Sequence, residues 1–396
     1  MNKYLALFLL LLSPTFVAAQ DFAIVSSASF AADFPVAPES IVSAFGQNFA
    51  PGSEAPNQTP LPTQVLGVSV TITDSTGASH LCPIFFMSPG QINFLIPAEV
   101  ALGAATARIS GHGADQTTSV EIASVSTGLY TQTDLDWMSG FILKVDADGT
   151  QTFLPTVQLV GSEILPVPLQ MSPGGDESAQ FYLILYGTGN RGSGDLSQVR
   201  TYIDFNDGVG SDLDLIPTLY NGPQGQFVGL DQTNAGPIPR RMEWFGGGDR
   251  AIGLEVDGDF SNLAWIEVAP NPNAPVISNP VFEFTAEDPT TMTFTFDFTD
   301  ADGDVGPFDL FIQWEDDEKF CAAFIDFDDA ILGQTAGSFS FTETKNFDDT
   351  DLGPIRSVTM SITDAAGHVS NELIHIPEPA GAIPGFNELC DDVFFK

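Results

Sequence analysis

Three aspartates at alternate positions, Asp300, Asp302 and Asp304, follow a strand-like run and lead into Val305-Gly306. Calcium takes roughly six to eight oxygen ligands, several of them carboxylate. Alternate acids in a turn are one way to begin such a set. An EF-hand loop is excluded, because position twelve counted from Asp300 is Phe311 and not a glutamate. Asp297 lies just upstream, and Asp364 opens a second turn, Asp364-Ala365-Ala366-Gly367. In a two-sheet sandwich, the loop between strands two and three and the loop between the last two strands gather at one end. Asp297, Asp300, Asp302, Asp304 and Asp364 are therefore the candidate calcium ligands. The competing reading is an Asp-Gly turn exposed to water.

A second pattern is amide rather than acid. Gln91-Ile92-Asn93 and Gln232-Thr233-Asn234 share a spacing that puts both amides on one face of a strand. Gly46 and Gly187 each follow a strand-like run, Ile41 to Phe45 and Phe181 to Tyr186. All three pairs stand 141 residues apart (187 − 46, 232 − 91, 234 − 93). One offset at three positions points to duplication of a whole β unit. Paired amides can meet sugar hydroxyls, or can satisfy backbone groups where a chain leaves its sheet. Their duplicated use favours the structural role. The two glycines mark a bulge or a close backbone approach.

No catalytic constellation emerges. His80, His112, His368 and His375 form no His-Glu-x-x-His pattern and have no metal-ligand spacing with a cysteine. There is no Gly-x-Ser-x-Gly elbow. The segment from Gly187 to Gly194 is glycine-rich but lacks the Gly-Lys-Ser/Thr ending of a phosphate loop, and reads as a mobile loop. No carboxylate pair is singled out for glycoside cleavage. The expectation is a non-enzymatic protein with no catalytic residues.

The chain carries a formal charge of −40 with only 12 Lys and Arg. Such a surface repels polyanions, so nucleic acid and anionic lipid are not expected partners. The acidity serves solubility or attracts cations. Lys3, the apolar run Leu5 to Leu12 and Val17-Ala18-Ala19 predict a signal peptide over 1–19. The run is shorter than the roughly 20 residues that span a bilayer, so no membrane span is expected in the mature chain. An exported chain is expected in turn, secreted or held at the cell surface. Export permits a disulfide, and Cys321 with Cys390 is the favoured pair. Cys82, flanked by Leu81 and Ile84-Phe85-Phe86, reads as a buried, inert thiol.

The elements that must position these residues are strands. Val68 to Ile72 alternates apolar and polar before the turn Asp74-Ser75-Thr76-Gly77. Ile142 to Val145, Asp146-Ala147-Asp148-Gly149 and Thr152 to Leu154 read as a hairpin. Thr291 to Phe298 alternates over its full length. Helical periodicity is scarce, and the fold class is all-β, in tandem sandwiches. The predicted boundaries are 20–126 for a first unit and 127–269 for a related second unit. A stiff proline-rich linker follows over 270–275, then an acidic third unit over 276–384 and a tail over 385–396.

Beyond these patterns there is a resemblance. Ser27-Ala28-Ser29-Phe30, the run Val36 to Ala50, Leu61-Pro62-Thr63, Leu66 to Val70, Ser88-Pro89-Gly90-Gln91-Ile92-Asn93-Phe94 and Ile96-Pro97 carry it in the first unit. Leu185-Tyr186-Gly187-Thr188-Gly189 and Gly222 to Asn234 continue it in the second. Over roughly residues 21–270 the chain resembles an uncharacterised family of secreted β-rich proteins abundant in Acidobacteria, especially Solibacter. Cys82 and the Gly/Asp-rich stretch from Gly187 to Asp214 depart from it. The third unit, through Phe296 to Gly306 and Ile362 to Ser370, resembles bacterial extracellular immunoglobulin-like modules. The resemblance implies export and tandem immunoglobulin-like sandwiches, and no known activity or site residue.

These readings together predict an exported scaffold or adhesion protein, calcium-stabilised, with a protein or polysaccharide of the cell surface or matrix as partner. The alternative is a carbohydrate-binding array, with Trp137, Trp244 and Trp265 as stacking platforms or as core residues. A secreted hydrolase stands last.

Overall fold

The computed structural model describes residues 22–375 apart from 33, 133–135, 173–176, 205–213, 241, 243–246, 286–289, 302, 315–319, 326–332, 346–354, 367 and 372. The predicted signal peptide, Asp302, Trp244, Cys390 and the tail lie outside the described residues. The fold is all-β. Two compact units divide it, Met1–Ser126 and Thr127–Lys396.

In the first unit two four-stranded antiparallel sheets face each other. One runs in the order Ala23–Ser26, Ile41–Phe45, Gln91–Leu95, Ile84–Met87, the other Ser79–Leu81, Val68–Thr73, Gly103–Gly111, Ala114–Ile122. Alternation explains the core. Val68, Val70 and Ile72 are fully buried while Ser69, Thr71 and Thr73 face outward. Ile92 and Phe94 point inward from the facing sheet. Each such side chain contributes about 1.5–3 kcal/mol by leaving water. The turn at Asp74 closes through Gly77 N–H to Asp74 O at 2.9 Å, with Gly77 at φ 88°.

Among the described residues the second unit holds two pairs of sheets and a separate two-stranded hairpin, Val157–Val160 with Glu163–Pro166. In the first pair, one sheet runs Gln151–Pro155, Gly140–Val145, Gln180–Thr188, Asp231–Ala235, Thr218–Pro223. Its partner contains Trp137–Met138, Ala264–Val268, Gly248–Val256, Val199–Ile203 and Asp214–Ile216. The expected hairpin is present, its turn closed by Asp146 N–H to Thr150 O at 2.9 Å. The Gly187-to-Asp214 stretch is not one long loop. A 3₁₀ turn at Leu196–Gln198 leads into Val199–Ile203, which pairs with Asp214–Ile216.

The second pair sets three strands against four. Val276–Thr285, Thr290–Thr299 and Ala336–Lys345 form one sheet; Phe320–Ile325, Val305–Trp314, Ile355–Asp364 and Leu373–His375 form the other. Phe294, Phe296 and Phe298 point inward and are buried, as are Met360 and Ile362. The alternate positions carry a hydroxyl ladder, with Thr293 and Thr295 at 3.0 Å from Thr342 and Ser340.

Candidate functional site

The acidic loop connects the second and third strands of the last sandwich, Thr290–Thr299 and Val305–Trp314. Asp364 ends the sixth strand of the seven and opens the turn before the last. The two loops meet: Val305 pairs with Asp364, and Ala365 N–H donates to Asp304 O at 2.8 Å. Asp300 is buried at the end of its strand, its N–H bonded to Thr335 O at 2.9 Å. Gly303 turns the loop at φ 73°, and its carbonyl accepts from Gly333 N–H at 3.0 Å.

Asp300, Asp304 and Asp364 thus share one end of the sandwich, and Asp297 does not join them. Asp297 alternates with the buried phenylalanines and faces outward. Its two oxygens accept from Ser338 Oγ and from Asn279 Nδ2, the latter at 2.8 Å. The Ser338 hydroxyl, then the Asn279 amide, hold its carboxyl below the usual range. Asp364 is fully enclosed. Its Oδ1 accepts from His368 N–H at 2.7 Å and its Oδ2 meets His368 Nδ1 at 2.6 Å. The other ring nitrogen, Nε2, faces Glu177 Oε1 at 3.4 Å. Among the described residues, no three His, Cys, Asp or Glu side chains are arranged to hold a metal ion.

The duplicated corners are the better-defined geometry. Ile41–Phe45 pairs with Gln91–Leu95 so that Phe45 lies opposite Gln91 and Ser43 opposite Asn93. Gln180–Thr188 pairs with Asp231–Ala235 so that Tyr186 lies opposite Gln232 and Ile184 opposite Asn234. The register is the same at the same offset. In both, the glutamine Nε2 donates to the asparagine Oδ1 at 2.8 Å. The amides therefore bond each other along the strand, a use the pattern alone did not reveal. Each glycine marks a close approach. A Cβ on Gly46 would stand 2.5 Å from Phe49 Cζ, and one on Gly187 2.3 Å from Gly128 O.

Beyond Gly187 the expected mobile loop gives way to a packed corner. Thr188 Oγ1 donates to Gly229 O at 2.8 Å, and Asn190 N–H donates to Asp231 Oδ2 at 2.8 Å. Arg191 Nε pairs with Asp231 Oδ1 at 2.5 Å. Burial pushes the Asp231 carboxyl up, while the Arg191 guanidinium and these amides pull against it. The cost of taking both charges out of water offsets much of their attraction, so the pair is not in itself an argument for stability.

Trp137 is buried and lies in register beside Trp265, so it belongs to the core and not to a stacking platform. Cys82 is buried and free, and burial pushes its thiol up to about 12. Sequence reasoning missed the aromatic side chains that share a face with the amides. Phe45 and Tyr186 stand at the 141-residue offset (186 − 45) and were there to be read. Phe86 and Tyr220, opposite Asn93 and Asn234, stand 134 apart (220 − 86), so the offset hides them.

No family model matches the chain, and no curated protein matches it. Among solved structures it is similar to the Escherichia coli adhesin FdeC, at 11% identity and a TM-score of 0.20, over 90% of this chain and 97% of that one. It is similar to latent PorU from Porphyromonas gingivalis, at 9% identity and a TM-score of 0.19, over 90% of this chain and 34% of that one. It is also similar to the FN1–FN3 domains of chicken CNTN1, at 8% identity and a TM-score of 0.17, over 90% and 97%. At these scores the likenesses say nothing of what the chain binds.

Proposed function

We propose that the chain is an exported, non-enzymatic scaffold or adhesion protein, held at a bacterial surface or in its matrix. The observation that carries this reading is the duplicated sandwich corner. Two β units repeat one register, one amide pair and a crowded glycine at one offset, and a third sandwich follows a proline-rich linker. Repeated rigid modules are a way to build length and to present loops and sheet faces. The acids at the ends of these modules are engaged in building turns and corners: Asp74 in its turn, Asp231 with Arg191, Asp364 with His368. Protein or polysaccharide of the surface or matrix is the proposed partner, and the −40 charge disfavours a polyanion.

The test is expression of the full chain with its N-terminal segment in a bacterial host, followed by fractionation and a bead-attachment assay to cells and matrix. Recovery outside the cytoplasm with attachment above a charge-matched control supports the proposal. Cytoplasmic retention, or turnover of glycosides or esters that an acidic-residue variant abolishes, overturns it. Calcium is the finer part of the proposal, placed at Asp300 and Asp304. Titration calorimetry of the full chain at millimolar calcium is expected to show heat and a raised melting point. No heat and no shift removes it.

A further inference from the structure

Both duplicated corners put their amide pair on the outward face of a sheet, and both set it between aromatic rings. In the first unit Phe45 stands opposite Gln91 on one side and Phe86 opposite Asn93 on the other. In the second unit Tyr186 stands opposite Gln232 and Tyr220 opposite Asn234. Directly opposed residues of an antiparallel pair project from the same face. Each constellation is therefore ring, amide, amide, ring. A further ring extends each: Phe30 lies 6.1 Å from Phe45, and Phe141 lies 6.4 Å from Tyr186. Phe30 at 56%, Phe45 at 37% and Tyr220 at 39% are exposed, while Phe86 and Tyr186 are half-buried.

The amide chemistry is polarised. One N–H of each glutamine NH₂ goes to the asparagine carbonyl and its second N–H remains a donor. The other two polar atoms of the pair are the glutamine Oε1, an acceptor, and the asparagine Nδ2, a donor. Among the described residues neither atom is given a protein partner in either unit. Ser43 Oγ adds a second bond to Asn93 Oδ1 at 3.0 Å and fixes that amide further. A few placed polar groups among apolar rings orient a ligand that has both faces and hydroxyls. Tyrosine and phenylalanine supply broad apolar surface at small entropic cost.

We propose that these two faces bind a neutral, hydroxyl-rich polysaccharide. Its sugar rings lie with their C–H faces on Phe45 and Tyr186. Adjacent hydroxyls donate to the glutamine Oε1 and accept from the asparagine Nδ2. The charge of −40 selects neutral chains over uronic or sulfated ones. In the second unit the face runs across five strands from Phe153 to Tyr220, about 19 Å at a strand spacing of about 4.8 Å, which suits an oligosaccharide stretch and not a single sugar. Duplication is the second, independent observation. A pair needed only to finish a sheet edge has no reason to keep an outward ring on each flank in both copies. The proposal rests on the scaffold reading in one respect, since it names the partner class of that scaffold.

The test is affinity electrophoresis of the full chain through gels containing β-glucan, xylan or mannan, with polygalacturonate as the anionic comparison. Retardation is expected in at least one neutral gel and not in polygalacturonate. The paired substitutions Phe45→Ala with Gln91→Glu, or Tyr186→Ala with Gln232→Glu, are expected to lower affinity by roughly tenfold or more, the scale of one lost ring and its amide. Both pairs together abolish retardation. Phe260→Ala, which removes an exposed ring from the opposite sheet of the second unit, leaves it intact. The Gln→Glu changes alone keep side-chain size, and serve where the ring variants melt early. No retardation of the wild-type chain in any neutral gel, or retardation that survives both pairs in folded protein, overturns the proposal. Either failure leaves the fractionation and attachment results standing, so loss of the sugar reading and loss of the scaffold reading are told apart.

Discussion

Asp364 holds His368 at two points, its Oδ1 accepting the backbone N–H at 2.7 Å and its Oδ2 meeting ring Nδ1 at 2.6 Å. Both side chains are buried, and Nε2 of the same ring faces Glu177 Oε1 at 3.4 Å. Glu177 precedes the strand Gln180–Thr188 of the middle sandwich, while His368 sits in the last turn of the third. Burial works against the charged ring, but the hydrogen bonds and charges of Asp364 and Glu177 outweigh it and raise the His368 pKa.

A pH dependence follows with a definite sign. A histidine whose folded pKa is raised contributes stability that is fully present below its unfolded value, roughly 6.5. That contribution is lost as pH rises through the folded pKa. Melting of the full chain is expected to be highest on the mildly acidic side of that window and to fall toward pH 8. His368→Gln is expected to flatten this slope and to cost about 1–3 kcal/mol at acidic pH, since it strips a buried carboxylate of a charged partner. Scanning calorimetry across pH 5 to 8 checks both; an unchanged slope in the variant sinks the assignment.

Asp74 behaves with the opposite sign. Its oxygens accept from Thr76 Oγ1 at 2.6 Å, Ala101 N–H at 3.1 Å, His80 Nε2 at 3.0 Å and Thr76 N–H at 2.9 Å. The Thr76 hydroxyl, then the Ala101 amide, hold its carboxyl far below the usual range despite burial. Its contribution is complete above the ordinary carboxylate pKa, roughly 3.9, shrinks as pH falls below that value, and is gone once pH has fallen through the depressed folded value. Asp74→Asn is therefore expected to lower the melting point of the first unit at neutral pH, with the gap to wild type closing in strong acid. A gap that stays constant down to pH 2 contradicts this account.

The strands were legible because alternation is a local signal. Val68 to Ile72, the Asp146-to-Gly149 turn and Thr291 to Phe298 each state their own geometry in a few residues. The 141-residue echo was legible because duplication preserved glycine and amide at one spacing. What the amides bond to was not, since Gln91 and Asn93 could equally have reached backbone groups. The partnership of Glu177 with His368, 191 residues apart, has no local signature at all. Nor could the chain show that Asp297 faces away from Asp300, until the inward phenylalanines fixed which face each residue takes. The Gly187-to-Gly194 segment misled for a related reason. Glycine density reads as looseness, whereas here Asp231 of a neighbouring strand pins Asn190 and Arg191.

Cys82 gives a direct check on packing in the first unit. Its thiol is fully buried between the sheets, and burial pushes its pKa up to about 12. The thiolate is the reactive form, so the native thiol is expected to be silent toward a maleimide at pH 7.5 and to react fully in denaturant. Mass spectrometry after labelling reads the outcome. Rapid native labelling at Cys82 means the core is open there.

The two echo glycines separate a soft obstacle from a hard one. At Gly46 an added methyl meets Phe49 Cζ at 2.5 Å, the edge of a ring, and Phe22 Cβ at 2.9 Å. At Gly187 it meets Gly128 O at 2.3 Å, a carbonyl of the paired strand, with Asn190 Nδ2 at 2.5 Å beside it. A ring can tilt at some cost in packing, but a strand carbonyl moves only with its ladder. Overpacking typically costs about 1–3 kcal/mol, and Gly187→Ala is expected near or above the top of that range, with Gly46→Ala below it. The same change at Gly149, where nothing stands within 4 Å of the added carbon but φ is 84°, tests conformation without crowding. Its cost is expected to be the smallest of the three, since a left-handed residue outside glycine costs roughly 1 kcal/mol. Equilibrium unfolding in urea, followed by tryptophan fluorescence for the second unit and by Cys82 labelling for the first, ranks them. Gly46→Ala costing more than Gly187→Ala contradicts the distinction between ring and carbonyl, and with it the view that the duplicated corner is held by backbone approach in the second unit.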